Sequence, residues 1–415
     1  MEFLIKRVRV LLGLCAGQVP RPDPAVDLRF DRAEPAFYNW PLPSGLAVGE
    51  PGLSKVIEAL VEAEERLSFS DGVRLFRSKE LMAVGAMANG VRERRHGSST
   101  YFVRNMHLNP TNVCTVDCKF CGFYRPYRNK EEGWTWTLER CLDEVRNRLH
   151  EPLTEVHIVG GHNPDLPYEF YTDLIRSIRE LRPDMHVKAF TAAEYDFFCK
   201  RFKKPLEEIY EDFKEAGLGS LPGGGAEVLV ERVRREIYPK KMSAERWLEV
   251  QRVAAEHGLR SNATLLYGHV ETLEERVEHM CRLRALQDET GHFMCFIPLA
   301  FHPENTELAH LPGPTGFDDL MTTAVSRLML DNFDHIKAYW IMLTPRVAQT
   351  ALNMGADCFD GTVVEEKVVH MAGAESPAGL TVDRLCRLIM EAGRKPVQRD
   401  SLYNVLQSFD APAMA

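Results

Sequence analysis

The sequence predicts an α/β protein, a TIM-type (β/α)8 barrel with an N-terminal helical cap. Short apolar runs alternate with amphipathic helical segments along most of the chain, which is the pattern of repeated βα units. The 415 residues are enough for one large barrel with appendages. No run of eighteen apolar residues is present, so no membrane-spanning helix is expected. A doubly wound open sheet is the competing architecture for the same pattern.

Residues 1–52 are predicted to form a poorly ordered extension. The stretch "VPRPDPAVDLRFDRAEPAFYNWPLP" is rich in Pro, Asp and Arg and has neither a helical nor a strand period. Basic residues beside "VLLGLCAG" at the start of the chain loosely resemble an export signal, but the apolar run is short and no A-x-A site follows. We therefore interpret this segment as an extension and expect a cytoplasmic protein.

Three further segments follow the extension. Residues 53–104 repeat apolar side chains at helical spacing in "LSKVIEALVEAEERLS" and "SKELMAVGAMANGVRER", which predicts a helical cap. Residues 105–365 are predicted to form the barrel. Residues 366–415 are predicted to be a C-terminal helical segment that closes it.

The predicted barrel consists of the strand that leads into Cys114 and seven later strands. Helix signals separate them: Thr137 as an N-cap, Thr272 with Glu275 as a capping box, and Gly217 as a C-cap. In such barrels the chemistry lies at the carboxyl ends of the strands. The seven later strands are "EVHIVGG" (155–161), "HVKAFTA" (186–192), "LGSLPGG" (218–224), "SNATLLYG" (261–268), "MCFIPLAF" (294–301), "HIKAYWIML" (335–343) and, more weakly, "DCFDGTV" (357–363).

Charge and cysteine content narrow the class of protein. The formal net charge is -9, with no basic face for a phosphate backbone, so nucleic acid is not an expected partner. Most of the ten cysteines are scattered singly through apolar segments, as reduced cysteines in a cytosolic protein are. A soluble enzyme acting on small molecules is the better prediction.

Three cysteines form the most informative motif. Cys114, Cys118 and Cys121 have the spacing C-x3-C-x2-C in a loop after the first barrel strand. Structural zinc prefers four ligands, and no second C-x-x-C pair exists here. A ferredoxin-type cluster uses four thiolates. Three thiolates on a cubane leave one iron open for a reaction, although a non-catalytic zinc or iron-sulfur module is the alternative.

The cysteine spacing, with aromatic Phe120 before the last cysteine, resembles the radical S-adenosylmethionine (SAM) superfamily. That resemblance implies that Cys114, Cys118 and Cys121 hold a 4Fe-4S cluster, that SAM binds its open iron, and that Phe120 lies near the adenine. It further implies that the glycine pair Gly160 and Gly161 meets the methionine amino group of SAM. It also implies an external electron donor such as flavodoxin or ferredoxin.

Longer stretches resemble one family within this superfamily, the aminofutalosine synthases of menaquinone biosynthesis. The resemblance covers residues 53 to about 405. "LPGGGAE", "FIPLAFHPENT" and "IKAYWIML" favour this family over two related ones, the cyclic dehypoxanthinylfutalosine synthases and the tyrosine-using subunit of deazaflavin (F420 precursor) synthase. Cys358 departs from the acidic or amide residue expected there, which puts any substrate contact at this position in doubt.

The resemblance implies a transferase reaction that forms a C-C bond. The adenosyl radical adds to the vinyl carbon of 3-[(1-carboxyvinyl)oxy]benzoate, the adduct rearranges onto the ring, and carbon dioxide or bicarbonate is lost to give 6-amino-6-deoxyfutalosine. This substrate is a dianion, so cations or fixed donors are expected at the barrel mouth. Arg327, Lys337 and Thr362 are the candidates for that role.

Other polar residues at predicted strand ends complete the set of candidates. His269 and His162 are expected to transfer protons, because histidine titrates near neutrality. The resemblance to the superfamily implies that Thr191, Glu194 and Glu227 bind the ribose hydroxyls or the methionine end of SAM, with a helix N-terminal carboxylate as the alternative interpretation.

Overall fold

The computed structural model describes residues 53–363 and 366–409. The predicted extension, residues 1–52, lies outside the described residues. None of the helices in the described part of the chain is both long and apolar enough to cross a bilayer. Within these described residues the strands are β1 (Ser99–Val103), β2 (Asn105–Leu108), β3 (Val113–Cys114), β4 (Arg125–Pro126), β5 (Glu155–Ile158), β6 (His186–Ala189), β7 (Leu218–Leu221), β8 (Arg260–Tyr267), β9 (Phe293–Ala300), β10 (His335–Ile336), β11 (Cys358–Gly361), β12 (Lys395–Arg399) and β13 (Val405–Ser408).

Helices separate most of the strands, as the alternating pattern predicts. A short 3-10 helix, Tyr127–Glu132, follows β4. The α-helices are α1 (Leu53–Glu62), α2 (Phe69–Arg77), α3 (Leu81–His96), α4 (Leu138–Arg146), α5 (Tyr168–Leu181), α6 (Ala192–Phe202), α7 (Leu206–Ala216), α8 (Glu231–Ile237), α9 (Ala244–Glu256), α10 (Leu273–Thr290), α11 (Gly316–Met329), α12 (Trp340–Ala351), α13 (Val368–Ala372) and α14 (Val382–Glu391).

Eight parallel strands form a ring. Seven of them make one sheet in the order β2-β5-β6-β7-β8-β9-β10. The ring closes through β11, which bridges to the chain after β10, where the N–H of Ala338 donates to the carbonyl of Cys358 at 2.8 Å. On its other side β11 pairs with β1, which runs directly into β2. The predicted (β/α)8 barrel is confirmed, and each predicted strand segment overlaps an observed strand.

Most of the predicted helix signals are found, but one predicted strand is too long. Thr137 caps α4, and Thr272 with Glu275 forms the capping box of α10. Gly217 ends α7 with a φ of 109°, a left-handed conformation that glycine adopts without strain. In "HIKAYWIML", however, only the first two residues are strand, and Trp340 already starts α12.

The C-terminal segment is only partly helical. Residues 366–409 contain α13 and α14, but they also add β12 and β13 to a second sheet of order β11-β1-β12-β13. Strand β1 lies within the predicted cap and pairs with β11 of the barrel. The division at residues 53–104, 105–365 and 366–415 stays a prediction, because the described residues belong to one compact unit.

Candidate active site

A cavity of about 330 Å³ opens at the carboxyl ends of the barrel strands and extends into the barrel interior. This volume is in the range of sites for small ligands and cofactors. Most of the sequence-predicted site residues line it together: Cys114, Cys118, Phe120, Cys121, Gly160, Gly161, His162, Thr191, Glu194, Glu227 and Lys337.

The three cysteines fit a cluster better than a single metal ion. All three are free thiols, and their sulfur atoms do not all lie within 4.8 Å of one another. One tetrahedral zinc ion would need sulfurs about 3.8 Å apart, from a Zn–S bond of about 2.3 Å. Burial raises the pKa of the Cys114 thiol to about 11 and also raises that of Cys118. A bound metal centre would supply the positive charge that makes such thiols ionise.

Backbone amides already point at the first cysteine. The N–H groups of Val116 and His162 donate to Cys114 Sγ at 3.4 and 3.3 Å. Hydrogen bonds to cysteine sulfur tune the potential of iron-sulfur clusters. The loop after β5 therefore contributes to the sulfur environment although it is distant in sequence from the cysteines.

The glycine pair after β5 packs against the chain that enters the cysteine loop. The N–H of Gly161 donates to Thr111 O at 2.8 Å. A Cβ atom on Gly161 would lie 2.2 Å from Val113 O, which is a backbone atom and cannot swing away. Glycine is therefore required at this position for the close approach of two backbone segments.

Thr191 and Glu194 form the capping box of α6 and connect it to the glycine pair. The Glu194 carboxylate accepts the backbone N–H and the hydroxyl of Thr191, each at 2.7 Å, and the N–H of Gly160 at 2.9 Å. Burial raises the pKa of Glu194 to about 7. The helix-capping interpretation is thus confirmed, and both residues still line the cavity.

Glu227 is paired with a lysine that the sequence patterns do not single out. Its carboxylate accepts a short hydrogen bond from Lys241, and both side chains line the cavity. The ammonium group of Lys241 lies 5.5 Å from the ring centre of Phe120 and 5.7 Å from that of Tyr238. The ammonium group of Lys241 therefore lies beside Phe120, the aromatic residue of the cysteine loop.

The barrel interior contains two further lysine–carboxylate pairs. Lys188 on β6 donates to Glu155 on β5 at 2.5 Å, and both are buried. Lys337 donates to Asp360, which has a φ of 69°, a strained conformation for a residue with a side chain. The sequence analysis missed Lys188, Glu155 and Asp360. Their positions could have been inferred from polar residues at alternate positions of otherwise apolar strands, which place those side chains on one face.

Three of the candidates do not line the cavity, so the predicted roles in catalysis do not fit their positions. Arg327 is fully buried on α11, where it pairs with Asp357 and donates to Gly355 O at 2.9 Å. A helix residue on the barrel exterior faces away from the strand ends, and this explains why Arg327 does not reach the cavity. The Thr362 hydroxyl is hydrogen-bonded to the backbone of Asn105: it accepts from the N–H at 3.1 Å and donates to the carbonyl O at 3.0 Å.

Of the two histidine candidates, His269 is buried and His162 is half-buried. His269 is tied to its own loop, with Nδ1 3.0 Å from a Glu271 carboxylate oxygen and Nε2 3.1 Å from Leu266 O. His162 does line the cavity and stacks on Phe197 with ring centres 5.0 Å apart. Burial lowers the pKa of His162 to about 3, so its imidazole is neutral and a weak base near pH 7.

Comparison with known proteins agrees with the geometry. The radical SAM superfamily profile matches residues 108–283, and the CofH/MqnC C-terminal region matches residues 290–411. An aminodeoxyfutalosine synthase of Thermus thermophilus is 49% identical over 367 residues, which cover 88% of this chain and 98% of the relative. The chain belongs to the radical SAM superfamily. Radical SAM enzymes use a 4Fe-4S cluster and SAM, and these are the cofactors of this chain.

Other relatives of this radical SAM protein carry related activities. A cyclic dehypoxanthine futalosine synthase of Halalkalibacterium halodurans is 36% identical over 356 residues, covering 86% of this chain and 95% of the relative. Among solved structures, methylornithine synthase (PylB) superimposes with a TM-score of 0.63 at 18% identity, covering 82% of this chain and 97% of that one. That likeness supports the fold alone.

Proposed function

We propose that this radical SAM protein is an aminodeoxyfutalosine synthase. It joins the 5′-deoxyadenosyl group of SAM to 3-[(1-carboxyvinyl)oxy]benzoate, with loss of methionine and of carbon dioxide or bicarbonate, and gives 6-amino-6-deoxyfutalosine for menaquinone biosynthesis. The observation that carries this proposal is the 49% identity over nearly the whole length of a relative with that activity, against 36% for the cyclising relative.

The residues of the cysteine side of the cavity hold the cofactors in this proposal. Cys114, Cys118 and Cys121 bind the cluster. The bound cluster and SAM supply the 5′-deoxyadenosyl radical. Phe120 and the paired Lys241 flank the place of the adenine, because an aromatic face and a buried cation lie together there. Glu194 fixes the N–H of Gly160, so the strand end that meets SAM is rigid before the ligand binds.

The substrate occupies the rest of the cavity. Apolar side chains of β9 and the chain after β10, namely Ile297, Leu299, Tyr339 and Met342, provide a surface for its aromatic ring. Lys337 and Lys188 face its anionic groups from the barrel interior. The largely apolar walls disfavour water and stray hydrogen donors near the radical. Arg327, His269 and Thr362 have no part in these contacts.

Two expectations complete the proposal. An external one-electron donor of the flavodoxin or ferredoxin kind reduces the cluster, because nothing in the described residues supplies electrons by itself. The protein works in the cytoplasm, which agrees with its free cysteines.

Anaerobic reconstitution followed by a single incubation tests the function. The reduced protein is given SAM and 3-[(1-carboxyvinyl)oxy]benzoate, and products are identified by mass. Aminodeoxyfutalosine with one SAM consumed per product supports the proposal. Reaction instead with the dehypoxanthinyl nucleoside or with tyrosine assigns one of the two related activities. One zinc per chain and no spectral response to SAM would support a non-catalytic module.

A further inference from the structure

Arg399 is a fully buried cation with no carboxylate in ion-pair contact among the described residues. It ends β12 and is 1% exposed. The Glu155 carboxylate acts on its charge from a distance, but that carboxylate is already hydrogen-bonded to Lys188. Its guanidinium donates to Asp400 O at 2.8 Å and to Cys358 Sγ at 3.6 Å, and it lies 3.8 Å from the ring centre of Tyr403. Its Nε has no partner among the described residues. An aromatic ring stabilises a cation but does not neutralise it.

The two lysines nearest to Arg399 are each paired with one carboxylate. Lys188 is paired with Glu155, and Lys337 is paired with Asp360. Arg399 adds a fifth charge, so these five side chains carry one net positive charge. A buried charge without a partner is costly, and a protein retains it most readily where a ligand of opposite charge binds.

This excess charge acts on both lysines. Lys337 and Cys358 face each other in the bridge between the chain after β10 and β11. The Cys358 thiol in turn accepts from Arg399. Burial lowers the pKa of Lys188, and the charges of Lys337 and Arg399 lower it further. Arg399 is also among the charges that act on Lys337.

We propose that the unpaired guanidinium of Arg399 makes the barrel interior a binding site for one carboxylate of an aromatic acid, which lies against Lys188 and Lys337 and is attracted by Arg399 behind the Cys358 thiol. The inference rests on the proposed function in that it takes the substrate to be an aromatic dicarboxylate. Cys358 is then the residue that leaves Arg399 uncompensated, because a thiol stands where an acidic side chain would cancel the charge.

A single substitution beside Arg399 tests the charge without removing it. Cys358→Asp places a carboxylate next to the guanidinium, and Cys358→Asn is the matched neutral control of the same shape. The dissociation constant of 3-[(1-carboxyvinyl)oxy]benzoate is measured by calorimetry on the anaerobically reconstituted holoenzyme. A unit charge about 8 Å away in a protein interior changes the affinity for an anion by roughly tenfold to thirtyfold.

We expect Cys358→Asp to weaken binding by that factor, and Cys358→Asn to remain within about twofold of the wild type. The dimethyl ester of the same ligand, which has no charge, should bind the wild type and both variants alike. Equal dissociation constants for the dianion in the Asp and Asn variants would overturn the inference. Circular dichroism and thermal unfolding verify that each variant is folded, and Arg399→Gln replaces Cys358→Asp if the latter does not fold.

The proposed function and this inference fail in different ways. A wild-type protein that ignores the ether but binds the dehypoxanthinyl nucleoside rejects the proposed function. That nucleoside also carries an aromatic carboxylate, so the same Asp and Asn variants measured with it still decide whether Arg399 supplies the attraction.

Discussion

Replacement of Gly161 by Ala tests how the cysteine loop is held in place. The new Cβ would lie 2.2 Å from Val113 O and 2.8 Å from Val113 C, whereas ordinary contacts begin at 3.4 Å. The two backbone segments must therefore separate by about 1 Å, and the atom in the way belongs to the residue before Cys114. Overpacking of this kind costs about 1–3 kcal/mol, and a rigid backbone neighbour places it at the upper end.

The expected result is a loss of both stability and cluster. Denaturant unfolding of the Gly161→Ala protein should show a free energy of unfolding lower by about 2–3 kcal/mol. Iron and sulfide per chain after anaerobic reconstitution should fall with it, because the displaced segment carries Cys114. Gly90→Ala is the matched control: in α3 the nearest atom to its Cβ is Arg94 Nη1 at 3.8 Å, so a gain of about 0.5–1 kcal/mol is expected. Full iron content and unchanged stability in Gly161→Ala would refute the reasoning.

Three further outcomes follow from the contacts outside the cavity. Arg327→Leu should lower the free energy of unfolding by about 3–5 kcal/mol, because Asp357 loses its buried partner. The KM of the folded variant for its substrate should stay unchanged. A raised KM would show that Arg327 does contribute to substrate binding. His269→Ala should cost about 1–3 kcal/mol in thermal or denaturant unfolding without changing SAM cleavage, and a selective loss of turnover at normal stability would contradict this. The hydrogen bond with Glu366 raises the pKa of His370 to about 9 from an ordinary 6.5, so its stabilisation is complete below pH 6.5 and is lost as the pH rises through 9. Wild-type unfolding should lose stability over that interval, and His370→Gln should lose less.

The order of the elements could be predicted because each strand and helix carries its own signal. Apolar runs such as "EVHIVGG" and caps such as Thr137 act locally, and the structure has a strand or a helix boundary at each. The extent of "HIKAYWIML" could not be predicted, because the continuous apolar run suits a buried strand and a buried helix equally. Closure of the ring through β11 and β1 depends on contacts between distant parts of the chain, which no local pattern encodes.

The candidates that a motif positions lie at the cavity, whereas several candidates chosen by residue type alone do not. The cysteines, Phe120 and the glycine pair all line the cavity because they flank strand ends. Arg327 and His269 were selected because their side chains can bind anions or transfer protons. In the structure both are buried and paired with carboxylates, Arg327 with Asp357 and His269 with Glu271, and these contacts stabilise the fold. The sequence did not predict the pair of Lys188 and Glu155, because each is a single polar residue in an apolar strand. Their contact depends on the pairing of β5 with β6, which is known only from the structure.

Asp357, just before β11, and Cys358, its first residue, explain why one buried arginine is structural and another is available to a ligand. Successive side chains of an extended chain point to opposite faces. The Asp357 carboxylate accepts from Arg327 of α11 and from the imidazole of His335. Cys358 contacts Arg399 and brings no charge. Both guanidiniums are completely buried, so the difference lies in the partner alone. The charge of Arg327 is therefore balanced by its partner, whereas Arg399 keeps its positive charge.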